Sequence, residues 1–336
     1  MQNSQKIRRA KITSVGCYVP PKTLTNADLE AMVSTSDEWI LTRTGIRTRY
    51  IAGDDVATSD LAAEAARVVL SQRGMAATEI EAIIVCTVTP DMFFPATACL
   101  VQDKIGAKGA WGFDLVAACS GLLYGLTTAS QMIATGSQER VMVIGADTMS
   151  RIIDYTDRAT CVLFGDAAGA MLLEAAGDGE DGGLIDFIHE VDGSGGCYLS
   201  MPAGGSRKPA SHETVDQRLH YVHQDGGAVF KYAVRQMYDL CGRLLERNDL
   251  RPDDVDVMVP HQANARIISA VAERLGIPIE KAVINIDRYG NTTGGTIPLA
   301  TRDAICEGRL KKGDLVLMTA VGAGLTSGAA LWRWAY

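Results

Sequence analysis

The 336-residue chain carries a formal net charge of −8, with 47% hydrophobic and 21% charged residues. That balance fits a globular enzyme with room for two domains or one duplicated domain. It excludes a general nucleic-acid binder, because no basic excess is available to neutralise phosphates. Eight cysteines (17, 86, 99, 119, 161, 197, 241 and 306) are scattered, with no CxxC pair and no metal-ligand spacing to the five histidines. The expectation is a reduced, cytoplasmic chain with unlinked thiols and no metal. Met1 to Ile12 is polar and basic, without the apolar core of a signal peptide, and no uninterrupted apolar run is long enough to span a bilayer.

In chain order, Lys11 to Val19 reads as a first strand ending at Pro20-Pro21. Thr25 or Asn26 caps a short helix, and a second helix starts near Ser34 to Ser36 and stops at Gly45. Trp39 and Arg43 are four apart on that helix and share a face, which packing alone would explain. A helix over Thr58–Gly74, a strand over Ile80–Thr87 and a loop carrying Phe93 and Phe94 follow, then a helix over Ala96–Ile105. Phe113 to Ala118 reads as a buried strand, Cys119 follows at once, and Ser120-Gly121 opens a run of small and apolar residues that reads as a buried helix. Cys119 is either a packed core thiol or a nucleophile at a helix N-terminus, where backbone N–H groups lower its pKa and hold an oxyanion.

Arg140–Gly145 and Cys161–Glu174 complete the first half. Gly177–Gly183 is a turn, and Gly193–Asp216 is a polar stretch that fits no element. The second half offers a helix over Ala228–Arg247, a strand Val255–Val259 ending at Pro260-His261, a helix Ala263–Leu275 and a strand Val283–Ile286. The turn at Asn291, a helix Ile297–Glu307 and strands Leu315–Thr319 and Ala329–Trp334 close the chain.

The strands of the two halves repeat at offsets of roughly 173 to 176 residues, which argues for an internal duplication with a mixed or mostly parallel sheet in each half. Under that duplication the Cys119 turn corresponds to the Asn291 turn, so Cys119, His261, Asn291 and Gly322–Gly324 can converge near a pseudo-twofold axis. A Cys119 thiolate would form an acyl-enzyme. His261 and Asn291, with no carboxylate named beside either, would act as N–H donors to a developing oxyanion, and backbone N–H groups of Cys119 and Ala323 would hold the tetrahedral intermediate. A papain-like Cys/His/Asn hydrolase is the alternative set of roles. Taken singly, His261 could be a satisfied core histidine and Asn291 a turn residue. Gly322–Gly328 could hint at a dinucleotide loop, but no helix or later acidic residue follows it.

The motifs Asn26–Glu30, Thr35–Ile40 with Arg43–Ile46, Ala117–Gly121, Asp157-Arg158 with Phe164–Asp166, Val259–Asn264 and Tyr289–Thr292 resemble the β-ketoacyl-acyl-carrier-protein synthase III enzymes of the thiolase-like superfamily over nearly the whole chain. The resemblance implies an α/β fold, a duplicated five-layer α/β/α/β/α sandwich with halves 1–176 and 177–336, normally a homodimer. It implies decarboxylative Claisen condensation of a short acyl-CoA primer with malonyl-acyl-carrier protein, initiating fatty-acid synthesis, with coenzyme A thioester as substrate and no metal or redox cofactor. Cys119, His261 and Asn291 match the family triad; Trp39, Arg43, Arg158 and Asn264 match coenzyme A and pantetheine contacts. Arg266 and Arg274 match the carrier-protein dock, and Phe94, Phe230 and Val321 line the acyl pocket, Phe94 from the partner subunit.

Four features depart from the usual pattern: a long Gly193–Asp216 stretch, Gln224 where Met is common, Glu273 in place of a basic residue, and Val321 where some relatives have Phe. They leave a synthase III-like enzyme of secondary metabolism as the alternative, and the intact triad argues against a non-catalytic partner subunit. No nucleic acid or membrane partner is implied.

Overall fold

The computed structural model describes residues 8–177 and 179–336. Two sheets form its frame. The first has the order Ala10–Tyr18, Ala167–Ala175, Arg140–Asp147, Ala82–Cys86, Trp111–Leu115, with the last three strands parallel. The second has the order Val257–Pro260, Leu315–Gly322, Thr326–Arg333, Gly183–Val191.

The near-continuous apolar strands are the signature of burial on both faces. In the first sheet Ile84, Val143 and Leu173 point inward, against the central helices Gly121–Ala134 and Thr296–Cys306. Their neighbours Ile83, Met142 and Leu172 point outward, against helices Thr58–Arg73 and Thr97–Ile105. The second sheet repeats the arrangement. Val259 and Met318 face the same central helices, while Met258 and Leu317 face helices Gly226–Arg247 and Ala265–Leu275. The result is five layers, helices outside both sheets and between them, in an α/β/α/β/α sandwich.

The repeat extends to single residues. Ala82 pairs with Val141 in the first sheet, and Val257 pairs with Val316 in the second, each about 175 positions on. Ala118, with φ 47°, leads into the Ala118–Ser120 turn and the first central helix; Thr293, with φ 51°, leads into Thr293–Gly295 and the second. The repeat is incomplete at one edge. The strand anticipated at Val283–Ile286 is a single bridge, Met258 to Ala282, followed by a helical turn Ile286–Tyr289. Here the Asn285 N–H donates to Gln262 Oε1 at 3.0 Å and its side chain to Asp303 at 2.8 Å, so the backbone leaves the ladder.

Two further elements were not anticipated. The hairpin Lys22–Thr25/Thr48–Ile51 pairs strands separated by two helices, and Gly183–Val191 forms the edge of the second sheet. The Gly193–Asp216 stretch is ordered: a short helical turn over Gly193–Tyr198, a two-residue strand paired with His223–Gln224, and a helix His212–Asp216. Arg218 pins it by a bidentate pair with Asp154.

Candidate active site

Two strand ends and a turn come together on a cavity that Leu199 of that segment also lines. Cys119 follows the strand Trp111–Leu115, two residues before the first central helix. His261 follows Pro260, and its N–H donates to the Thr319 carbonyl at 2.8 Å, continuing the parallel ladder by one residue. Asn291 is held between halves: its N–H donates to Leu163 O at 2.9 Å, and its carbonyl accepts from Gly165 N at 3.0 Å. All three are buried, at 7%, 3% and 6% exposure, and all line one cavity of about 420 Å³.

The orientation of Asn291 is set locally. Its Oδ1 accepts the Thr293 N–H at 2.9 Å, which leaves the amide NH₂ as the free end. His261 Nδ1 sits 2.6 Å from Thr296 Oγ1 at the start of the second central helix, and its Nε2 is buried without a partner. Burial pushes the imidazole down to about 3, so it is neutral near pH 7.

The expected depression of the Cys119 pKa is reversed. Burial, helped by the Asp147 carboxylate, pushes the thiol up to about 12, and its own backbone N–H lowers it only in part. The helix start does not outweigh the loss of water around a buried thiolate. Asp147 is itself buried, accepting from Val88 N at 2.8 Å, Gly294 N at 3.0 Å and the hydroxyls of Thr87 and Thr89 at 3.1 and 3.2 Å. Burial raises its carboxyl to about 6 despite those four donors.

The backbone around Cys119 interlocks with the Gly322–Leu325 turn. Thr326 Oγ1 lies 2.8 Å from the Ala117 carbonyl and 3.2 Å from that of Ala323. A Cβ on Gly322 would lie 2.7 Å from the Cys119 nitrogen, so glycine is what allows the two turns to touch. Ala323 is half-buried in that second turn.

Most of the other expected residues gather on the same cavity. Arg43, Asn264, Arg266, Phe230, Val321 and Gln224 line it, as does Leu199 from the ordered insertion. Asn264 carries structural duties there: its Oδ1 caps the helix Ala265–Leu275 by accepting from Arg266 N at 2.9 Å, and its NH₂ donates to the Arg43 carbonyl at 2.9 Å. That bond ties the Trp39 helix, Asp37–Thr44, to the cavity wall. The helix ends at Gly45, left-handed at φ 83°, where a Cβ would strike the Ala265 methyl at 2.7 Å.

Trp39 lies outside the cavity lining, at its rim, with the Arg158 guanidinium over its ring at 4.8 Å and that of Arg43 at 5.0 Å. Arg158 also donates to the Ser34 carbonyl at 3.0 Å. Arg158 thus covers a ring face that a stacked base would otherwise use. Arg266 is exposed, with its guanidinium 5.4 Å over Phe230, whereas Arg274 and Glu273 are exposed in the last turn of the same helix, off the cavity. Phe94 is not brought to this cavity by its own chain. It is 84% exposed beside Phe93 and close to exposed Met92. Among the described residues no cluster of three or more His, Cys, Asp or Glu side chains could hold a metal, and no helix is long and apolar enough to cross a membrane.

Sequence reasoning missed Thr296 and Asp147. Thr296 carried no signal beyond a helix start; a charge at the end of an apolar strand was the available hint for Asp147.

Comparison with known proteins gives a consistent match. Residues 113–193 match the family model described as 3-oxoacyl-[acyl-carrier-protein] synthase III, and residues 245–334 match its C-terminal model. A β-ketoacyl-[acyl-carrier-protein] synthase III of Solibacter usitatus is 68% identical over 98% of this chain and 99% of its own. The crystal structure of 3-oxoacyl-[acyl-carrier-protein] synthase III from Aquifex aeolicus is 43% identical, covering 97% of this chain and 100% of that one, with a TM-score of 0.89. The priming β-ketosynthase of the R1128 polyketide pathway is 30% identical, covering 99% and 98%, with a TM-score of 0.90.

Proposed function

The chain belongs to the 3-oxoacyl-[acyl-carrier-protein] synthase III family, and from that premise we propose that Cys119, His261 and Asn291 carry its condensation of an acyl-CoA primer with malonyl-acyl-carrier protein. It is a condensing acyltransferase that initiates fatty-acid synthesis. The observation that carries the residue assignment is the convergence of those three side chains on one buried cavity.

Cys119 Sγ attacks the primer carbonyl, and coenzyme A leaves. The Cys119 and Ala323 N–H groups are the donors for the tetrahedral oxyanion. Malonyl-acyl-carrier protein then places its thioester carbonyl against the Asn291 amide and the His261 ring. Loss of CO₂ drives electrons into an enolate held there, and the enolate carbon attacks the acyl group on Cys119. No step transfers electrons to a redox carrier or needs a Lewis acid, which supports operation without a metal or redox cofactor.

Trp39, Arg43, Arg158 and Asn264 are the coenzyme A and pantetheine contacts, with Arg158 swinging off Trp39 to admit the base. Arg266 at the cavity mouth is the nearer contact for an acidic carrier, and Arg274 the outer one. Phe230 and Val321 bound the acyl group. The exposed Met92–Phe94 run supports a homodimer in which Phe94 serves the partner subunit's pocket. The halves 1–176 and 177–336 are the two copies of the repeat, and the cytoplasm is the compartment suited to these thiols.

The test supplies acetyl-CoA and malonyl-acyl-carrier protein and weighs the carrier by mass spectrometry. The expected result is a 3-oxoacyl carrier, released CO₂, and neither product with Cys119→Ala. Release of coenzyme A with no change in the carrier would point to a hydrolase. Turnover confined to long or aromatic primers would move the enzyme to secondary metabolism.

A further inference from the structure

Asp147 is a fully buried carboxylate at the end of the strand Arg140–Asp147, outside the lining of the Cys119 cavity. Its two oxygens face different halves of the chain. Oδ1 accepts from Val88 N at 2.8 Å and from the Thr87 and Thr89 hydroxyls at 3.1 and 3.2 Å, all in the first half. Oδ2 accepts from Gly294 N at 3.0 Å, in the second. All four donors are neutral, so a charge is kept out of water with no counter-ion among them, which is costly. What the carboxylate offers in return is an acceptor on each side; an amide of the same shape has only one.

The group it grips is the Thr293–Gly294 peptide. The N–H of that unit donates to Asp147, while its carbonyl accepts from Thr296 Oγ1 at 3.1 Å, and Oγ1 lies 2.6 Å from His261 Nδ1. One residue earlier, the Thr293 N–H donates to Asn291 Oδ1 at 2.9 Å and so orients the Asn291 amide. Thr293 has φ 51°, a left-handed conformation that side chains other than glycine rarely adopt, so the turn needs holding from outside. The two halves touch at this point: a Cβ on Gly145 would lie 2.1 Å from the Gly294 carbonyl oxygen. The Cys119 turn is held by other contacts, Thr326 Oγ1 donating to the Ala117 carbonyl at 2.8 Å and Ser120 Oγ to the Thr326 carbonyl at 3.2 Å.

Resting on the reading of Asn291 and His261 as the groups that receive the malonyl thioester, we propose that Asp147 is a positioning residue: its carboxylate pins the Thr293–Gly294 peptide of the second half to the Thr87–Thr89 loop of the first, and so sets Asn291 and His261 for decarboxylation while leaving acylation of Cys119 to other contacts. Asp147 takes no proton and gives none. In Asp147→Asn the orientation that keeps the most hydrogen bonds leaves the amide oxygen at Val88, Thr87 and Thr89. The NH₂ then meets the Gly294 N–H, donor against donor, and the peptide must move or turn. Its carbonyl and the Thr293 N–H move with it, and with them the contacts that fix His261 and Asn291. The same substitution removes a negative charge that raises the Cys119 thiol, so the first step has no reason to slow.

The experiment separates the two steps in the full-length protein. Rapid quench follows acetylation of Cys119 by acetyl-CoA, and single-turnover CO₂ release follows decarboxylation of malonyl-acyl-carrier protein by the acetylated enzyme. Asp147→Asn should acetylate no more slowly than the parent and release CO₂ roughly 10²-fold more slowly, the penalty for displaced catalytic groups. Gly294→Ala perturbs the same contact with the carboxylate intact, its added methyl standing 3.0 Å from the Cys86 carbonyl oxygen and 3.3 Å from Asp147 Oδ2, and should show the same split. It decides alone if the asparagine variant does not fold. Equal slowing of both steps, the mark of a merely structural role, overturns the proposal, and so does CO₂ release at the parental rate. Asn291→Ala is the control on the underlying reading: if it releases CO₂ like the parent, the assignment of Asn291 falls and the proposal with it, whereas slow release in Asn291→Ala beside parental release in Asp147→Asn overturns the proposal alone.

Discussion

Gly322→Ala tests whether the contact between the two turns places the oxyanion donors. The added methyl would stand 2.7 Å from Cys119 N, 2.9 Å from Ala117 O and 2.9 Å from Thr326 Oγ1. Two of the three are backbone atoms, so relief requires moving the Cys119 turn by several tenths of an ångström. Overpacking of this kind costs about 1–3 kcal/mol. At roughly 2 °C per kcal/mol for a long chain, Tm falls by about 2–6 °C. The kinetic effect should be larger, because a misplaced oxyanion donor costs about 10²–10³ in kcat. The control is Gly242→Ala, inside helix Gly226–Arg247 with no atom within 4 Å of its added Cβ, which should gain up to about 1 kcal/mol and leave turnover unchanged. Differential scanning fluorimetry and coenzyme A release measure the pair. A Gly322→Ala enzyme with parental Tm and turnover within about threefold of the parent would refute the contact's role.

Further outcomes follow from other contacts. His261 is pushed down to about 3 in the folded state against an ordinary 6.5, so the unfolded chain binds its proton first and stability is lost as pH falls below 6.5. Between pH 6.5 and 5 this amounts to about 2 kcal/mol, and urea titrations at pH 7 and pH 5 should show a correspondingly smaller acid loss in His261→Ala. Arg218→Ala frees the insertion from Asp154, whose carboxyl that guanidinium holds down at about 2. Because Leu199 and Gln224 of that region line the cavity, KM for acyl-CoA should rise several-fold with little change in kcat, read from initial rates. Val321→Phe narrows the cavity and should turn primer preference towards acetyl by about tenfold per added methylene in competition assays. Trp39→Ala should raise KM for coenzyme A thioesters while sparing acyl-pantetheine thioesters, which do not reach the rim.

The elements legible in the sequence were those whose signal is local. Ala82–Cys86 and Leu315–Thr319 read as strands because burial on both faces makes them continuously apolar. Ser36 and Gly45 marked the Trp39 helix because capping chemistry is a matter of a few neighbouring residues. The repeat offset alone was enough to set the Cys119 and Asn291 turns opposite one another. What stayed illegible depended on distant partners. Gly183–Val191 mixes Leu184, Ile185, Phe187 and Ile188 with Asp186, His189 and Glu190 in no clean period, yet it pairs along its length with Thr326–Arg333. Arg49, of a residue type almost never fully buried unless paired, is fully buried, donating to Asn26 Oδ1 at 2.8 Å and Val162 O at 2.7 Å. Val283–Ile286 had the composition of a strand, but the Gln262 side chain takes up both the Val283 carbonyl and the Asn285 N–H that would have extended it. The Cys119 pKa went the other way because the helix start is visible in the sequence and the loss of water is not.

The central claim is that Cys119 becomes acylated by a coenzyme A thioester and gives up that acyl group to malonyl-acyl-carrier protein. Intact mass followed by peptide mapping tests it most directly. The expected result is one acetyl group, mapped to Cys119 and not to any other of the eight cysteines, which disappears when the malonyl carrier is added. An acetyl group on another residue, or one on Cys119 that survives the malonyl carrier, would contradict it.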